Sequence, residues 1–151
     1  MTIRYKQPDH KDALSLVEAA KKEMEFTLSM EISESSGTTI GRNIYECFRM
    51  LGDALLTSKG KIVHDHAEQV KSLTELNVKA TRPLGALDNL RILRHSINYY
   101  GYRPNIEEVK DAVNLAKSLF EPIYIEVLRQ IRLGEKLAGL SKGGEEAIYL
   151  K

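Results

Sequence analysis

Apolar residues recur at intervals of three and four in five separate segments of this chain, and that repeat constrains the fold more than any other feature. Positions three and four apart share one face of an α-helix, so each segment predicts a helix with a single apolar stripe. The first stripe is Leu14, Val17, Ala20, Met24 and Leu28, in a helix that starts near Asp12 and stops at the turn-prone run Ser33-Glu34-Ser35-Ser36-Gly37. The second, capped by Thr38 or Thr39, carries Ile40, Ile44, Cys47, Phe48, Leu51 and Leu55. It closes at Ser58-Lys59-Gly60, where glycine suits a left-handed terminus. The third segment, Ile62 to Leu76, opens with an Asp65/Glu68 capping pattern and buries Ala67, Val70, Leu73 and Leu76.

A polar and basic link, Asn77 to Pro83, leads to the fourth helix, with Pro83 in its first turn. Its core stripe is Leu87, Leu90, Leu93, Ile97 and Tyr100, and Gly101 ends it. Asn105 with Glu108 predicts a second capping box, starting a helix that packs through Ile106, Val109, Val113, Ala116, Phe120 and Ile123. Pro122 predicts a kink or break. The following Ile-Tyr-Ile-Glu-Val has strand composition, but a lone strand has no partner in a helical chain, so helix is expected to about Leu133. Gly134 then opens a flexible C-terminal tail that includes Ser141-Lys142-Gly143-Gly144. One-stripe helices with short links predict an all-α fold, an antiparallel up-and-down bundle of four to five helices. The 151 residues fit one domain, 1–151, with a core over about 10–133.

With 22 basic and 21 acidic side chains the chain has a net charge of only +1, so nucleic-acid binding must rest on a local patch and not on overall charge. Such a patch is visible between Asn77 and Arg103. Lys79, Arg82, Arg91, Arg94 and Arg103 stand there against Asp88 alone, a net +4. One cysteine, Cys47, forms no internal disulfide, and the N-terminal MTIRYKQPDHKDA lacks the apolar core of a signal peptide; both predict a cytoplasmic protein. No apolar run approaches the ~18 residues that a membrane-spanning helix needs.

The chemistry concentrates in Leu90 to Pro104, LRILRHSINYYGYRP. Arg91, Arg94, His95 and Asn98 fall at i, i+3, i+4 and i+7 and form one polar strip, which ends in Tyr99, Tyr100 and Tyr102. Arginine and tyrosine together suit phosphate contact and base stacking. His64-Asp65-His66 invites a metal reading, but residues two apart on a helix point about 200° from one another, and no further Cys or His is close. No metal or cofactor is expected. Cys47 lies on the apolar stripe and is expected to be a core thiol, with no basic neighbour to activate it.

In order and spacing these features resemble the HEPN superfamily, small helical bundles associated with nucleotidyltransferases, toxin-antitoxin pairs and RNA cleavage. Arg42-Asn43 with Tyr45, Phe48 and Leu55-Leu56 looks like the second helix of those domains. Lys59-Gly60 followed by His64 resembles the turn into the third, and Leu90 to Lys117 is similar to the signature helix and the long helix after it. The likeness covers roughly residues 10 to 125. It implies a homodimeric nucleotide- or RNA-binding module, or a partner of a nucleotidyltransferase, with Arg91, Arg94, His95, Asn98, Tyr99, Arg42 and Asn43 as candidate contacts.

Nuclease members carry an arginine, a polar follower and a histidine a few residues on. Arg94 and His95 match the first two, but the positions for the histidine hold Tyr99, Tyr100 and Gly101. Metal-independent RNA cleavage needs a base for the ribose 2′-OH and a cation for the phosphorane, and tyrosine, with a pKa near 10, is a poor base at neutral pH. A binding module with a degenerate nuclease motif is therefore the leading expectation. The alternatives are a metal-independent endoribonuclease using Arg94, His95 and Tyr99, and a structural helical oligomer without ligand.

Overall fold

Helix α2 (Gly37–Ser58) is the element on which the others assemble. The computed structural model describes the backbone of residues 4–149 and the side chains of residues 4–140. Around α2 lie α1 (His10–Ser29), α3 (His66–Thr74), α4 (Leu87–Tyr100, entered through a 3-10 turn at Leu84–Ala86) and α5 (Ile106–Tyr149), and all four touch it. The expected single stripe therefore undercounts α2. Gly41, Tyr45, Gly52 and Ala54 are buried beside Ile40, Ile44, Cys47, Phe48, Leu51 and Leu55, so the helix is covered on most sides. Gly52 shows why: a Cβ there would overlap the backbone carbonyl of Gln69, so the bare glycine lets α3 lie directly against α2.

The four long helices, α1, α2, α4 and α5, alternate in direction. Residues of α1 and α5 meet in the order Lys21 with Tyr124 and Met24 with Phe120, so those two helices run antiparallel. Phe48 meets Phe120 edge-on at 5.6 Å while Gly37 faces Val109, so α5 runs parallel to α2. Arg94 lies over Tyr45 and Asn98 reaches Arg42, so α4 is antiparallel to α2. The result is an all-α bundle. Ala13, Val17, Ala20 and Met24 of α1 and Val109, Leu119, Ile123, Val127 and Ile131 of α5 close its core.

Most boundaries follow local chemistry. Asp9 caps α1 by accepting from the Asp12 amide at 2.9 Å. Asn105 and Glu108 exchange the two hydrogen bonds of a capping box at the start of α5. Gly60 and Gly101 take φ of 73° and 62°, the left-handed conformation expected at both helix ends.

Several expectations are corrected. The cap of α2 is Ser36, not a threonine, and its hydroxyl faces back, donating to the Glu31 carbonyl at 2.6 Å and accepting from the Ser33 amide. Pro83 stands just ahead of the 3-10 turn and not within the first turn of α4. The third segment is helical only over His66–Thr74, because Lys61–Ile62 form strand β2. That strand pairs antiparallel with β1 (Arg4–Tyr5), which occupies what reads as a polar lead, with Arg4 opposite Ile62 and Tyr5 opposite Lys61.

Tyr100, expected in the core, is 78% exposed. Helix α4 packs chiefly on α2, and the Asn98–Arg42 contact brings its last turn level with the first turns of α2, where little remains to cover a ring. Helix α5 neither breaks at Pro122 nor ends at Leu133; it passes Gly134 and stays helical to Tyr149. A glycine in a helix costs only about 1 kcal/mol relative to alanine, which is too little to stop one without a further signal. The side chains of Ser141 onward, including the glycines expected in a loose tail, lie outside the described residues. Among the described residues no helix is long and apolar enough to cross a membrane.

Candidate cationic cleft

Three elements that are distant in sequence meet at one shallow cleft of about 360 Å³. Helix α2 contributes Tyr45, the turn into α3 contributes His64, Asp65, His66 and Ala67, and α4 contributes Arg91, Arg94, His95 and Tyr99. The three-four repeat of α4 buries Leu87, Leu90 and Ile97, which turns the intervening Arg91, Arg94 and His95 out toward the cleft.

Arg94 is held without an acid. Its guanidinium lies over the Tyr45 ring, 5.5 Å from the centroid, and among the described residues it makes no ion pair. A cation held over a ring face spends none of its N–H donors on a carboxylate, so they stay available to a ligand. Tyr45 is only 2% exposed, and burial pushes its phenol above the ordinary value of 10, against the opposing pull of Arg94, Arg49 and Arg91. Tyr45 is thus a neutral floor for the arginine.

Arg91 differs. Its Nε donates to Asp88 at 2.7 Å, and this bond raises its pKa above the ordinary value. His95 lies tilted against Tyr99, with centroids 4.6 Å apart and planes 39° apart, and meets Tyr100 edge-on at 5.8 Å. Tyr99 is 68% exposed and forms an open aromatic face at the lip of the cleft.

The candidate residues do not all converge. Asn98 accepts from Arg42 Nε at 2.9 Å, a surface clasp between α4 and α2 outside the cleft. Asn43 is half-buried on α2 and does not line the cleft either. Tyr102 turns away and donates to Glu108, which raises its pKa. The basic patch also divides. Arg82 lines a separate groove with Glu108 and Asp111, while Lys79 and Arg103 are exposed away from the cleft.

His64 and His66 are the residues whose place the spacing does not reveal. His64 lies in the irregular stretch before α3 and His66 opens that helix, so the 200° argument, which needs both on one helix, does not hold, and both line the same cleft as Arg91 and Arg94. Asp65 between them caps α3, accepting from the Ala67 amide at 2.9 Å. The cleft is therefore lined by three imidazoles, two guanidinium groups and one carboxylate, Asp65, which acts electrostatically on Arg91. Among the described residues no group of three His, Cys, Asp or Glu is arranged to hold a metal ion. Cys47 is fully buried, and burial pushes its thiol up to about 12, which suits a core residue and not a nucleophile.

Comparison with known proteins returns no matching family model, no matching curated protein and no matching solved structure.

Proposed function

We propose that this protein is a nucleotide- or RNA-binding module of HEPN type, with the cleft between α4 and the turn into α3 as its ligand site. One observation carries the reading. Arg94 is held over Tyr45 with no ion-pair partner among the described residues, in a cleft it shares with three histidines and the exposed Tyr99. Guanidinium donors recognise phosphate, and an open aromatic face stacks on a base. The HEPN resemblance adds the further proposals of a homodimer and of docking to a nucleotidyltransferase in a toxin-antitoxin arrangement. Those two would be supported by co-purification with such an enzyme at a fixed stoichiometry.

The test of the site is fluorescence anisotropy with a labelled single-stranded RNA and competition by AMP. Arg94→Ala is expected to weaken binding at least about tenfold, the loss of charge-assisted hydrogen bonds. Arg82→Ala, in the other groove, is expected to leave it unchanged. Equal affinity of the Arg94→Ala and unmodified proteins would remove the site.

A second reading, metal-independent endoribonuclease, gains from His64 and His66, which line the same cleft as Arg94, whereas the helix motif itself holds Tyr99. An imidazole there supplies the base that tyrosine does not. This reading expects RNA cleavage in EDTA that disappears in Arg94→Ala and in the His64→Ala, His66→Ala double variant. Intact RNA after incubation with the unmodified protein leaves binding alone.

A further inference from the structure

We infer that the cleft is built for one phosphate group, the terminal phosphomonoester of a nucleotide or of an RNA end, and not for the backbone of a continuous strand. The inference rests on the nucleotide-binding reading above and narrows it. It comes from how the cations are distributed.

A surface that follows a strand needs basic side chains in series, and single-strand sites of this kind take about 4–16 nucleotides. This molecule breaks the series. Of the basic side chains between Asn77 and Arg103 only Arg91 and Arg94 reach the cleft, and the Nε of Arg91 is already taken by Asp88. Arg82 faces Glu108 and Asp111 in another groove, and Arg42 is tied to Asn98. Among the described residues, the cleft is lined by no lysine and by no arginine besides Arg91 and Arg94.

Within the cleft, by contrast, donors from two elements gather. Arg94 and His95 come from α4 and His64 and His66 from the segment that opens α3, while the one lining carboxylate, Asp65, accepts from the Ala67 amide and acts electrostatically on Arg91. A phosphomonoester carries about −1.5 to −2 charges at neutral pH and three strong acceptor oxygens, which answers donors arriving from two elements. An internal diester has one charge and two free oxygens, and must also thread both neighbouring sugars through the walls. The size agrees: about 360 Å³ is at the small end of ligand pockets and accommodates one nucleotide unit. Tyr99, tilted against His95 and largely exposed, is placed for the base of that same unit.

The experiment compares one hexanucleotide RNA in three forms, 5′-phosphorylated, 3′-phosphorylated and with both ends as hydroxyls, alongside AMP and adenosine. At least one phosphorylated end is expected to bind fivefold or more tightly than the hydroxyl form, and AMP more tightly than adenosine. Which end responds identifies the source of the phosphate. Arg94→Gln is expected to erase the preference and the double variant His64→Gln, His66→Gln to reduce it. The slope of log affinity against log salt is expected to be shallower than −3, because few phosphates are neutralised. Less than fivefold preference for both phosphorylated ends, or a slope of −3 or steeper, overturns the single-phosphate site while leaving RNA binding in place. No binding of any form overturns both.

Discussion

Arg94 and Arg91 stand one turn apart on the same helix, yet their surroundings give them different tasks. Asp88 neutralises Arg91 locally, whereas Arg94 rests on the ring of Tyr45. If the ring face is what positions Arg94, Tyr45→Phe keeps nucleotide affinity within about twofold and Tyr45→Leu weakens it about two- to fivefold, the size of one cation–π contact. Circular dichroism of the two variants separates this from unfolding. Glu126 shows a pH effect at the same scale. Arg129 holds its carboxyl down to about 2 from the ordinary 4.5, with Gln130 also donating to it. A lowered carboxyl contributes stability above its unfolded pKa and loses it as the pH falls through the folded one. The stability gap between the unmodified protein and Glu126→Gln is therefore expected to be constant above about pH 4.5 and to shrink towards pH 2, as followed by thermal melts.

At the scale of the element, α2 and α5 carry the sharpest consequences. A Cβ at position 52 meets backbone and not a flexible side chain, so Gly52→Ala forces α2 and α3 apart. Its expected cost is at least about 2 kcal/mol in chemical denaturation, together with disturbance of the turn that holds His64 and His66. Pro122 acts oppositely. It lies inside a continuous helix and withholds one amide donor, so Pro122→Ala is expected to stabilise the protein by about 1–3 kcal/mol, read as a higher midpoint in the same denaturation. The periodicity of three and four made the five helices legible, and the capping patterns placed the starts of α3 and α5. It did not reveal how many sides of a helix would be covered. Gly37 and Gly52 carry no apolar side chain to count, yet of the α2 glycines they are where neighbouring elements come closest.

For the whole molecule, the long C-terminal helix divides at Ile131, the last buried side chain among the described residues. Leu133, Leu137 and Leu140 are all exposed. Removing the residues after 134 is therefore expected to leave the melting temperature within about 3 °C, a change of less than about 1 kcal/mol for a domain of this size. A large fall would show that the distal helix supports the bundle. The sequence by itself determined the helical class, the places of most helices, the burial of Cys47 and the arginine, histidine and tyrosine content of α4. These are local matters, set by periodicity, capping and side-chain chemistry. The tertiary structure alone decided that Asn98 is used up by Arg42, that Tyr100 is left outside, and that His64 and His66 line the same cleft as Arg94. Such meetings depend on how α2, α3 and α4 pack in three dimensions, and spacing along one chain segment holds no record of which side chain will face it from another.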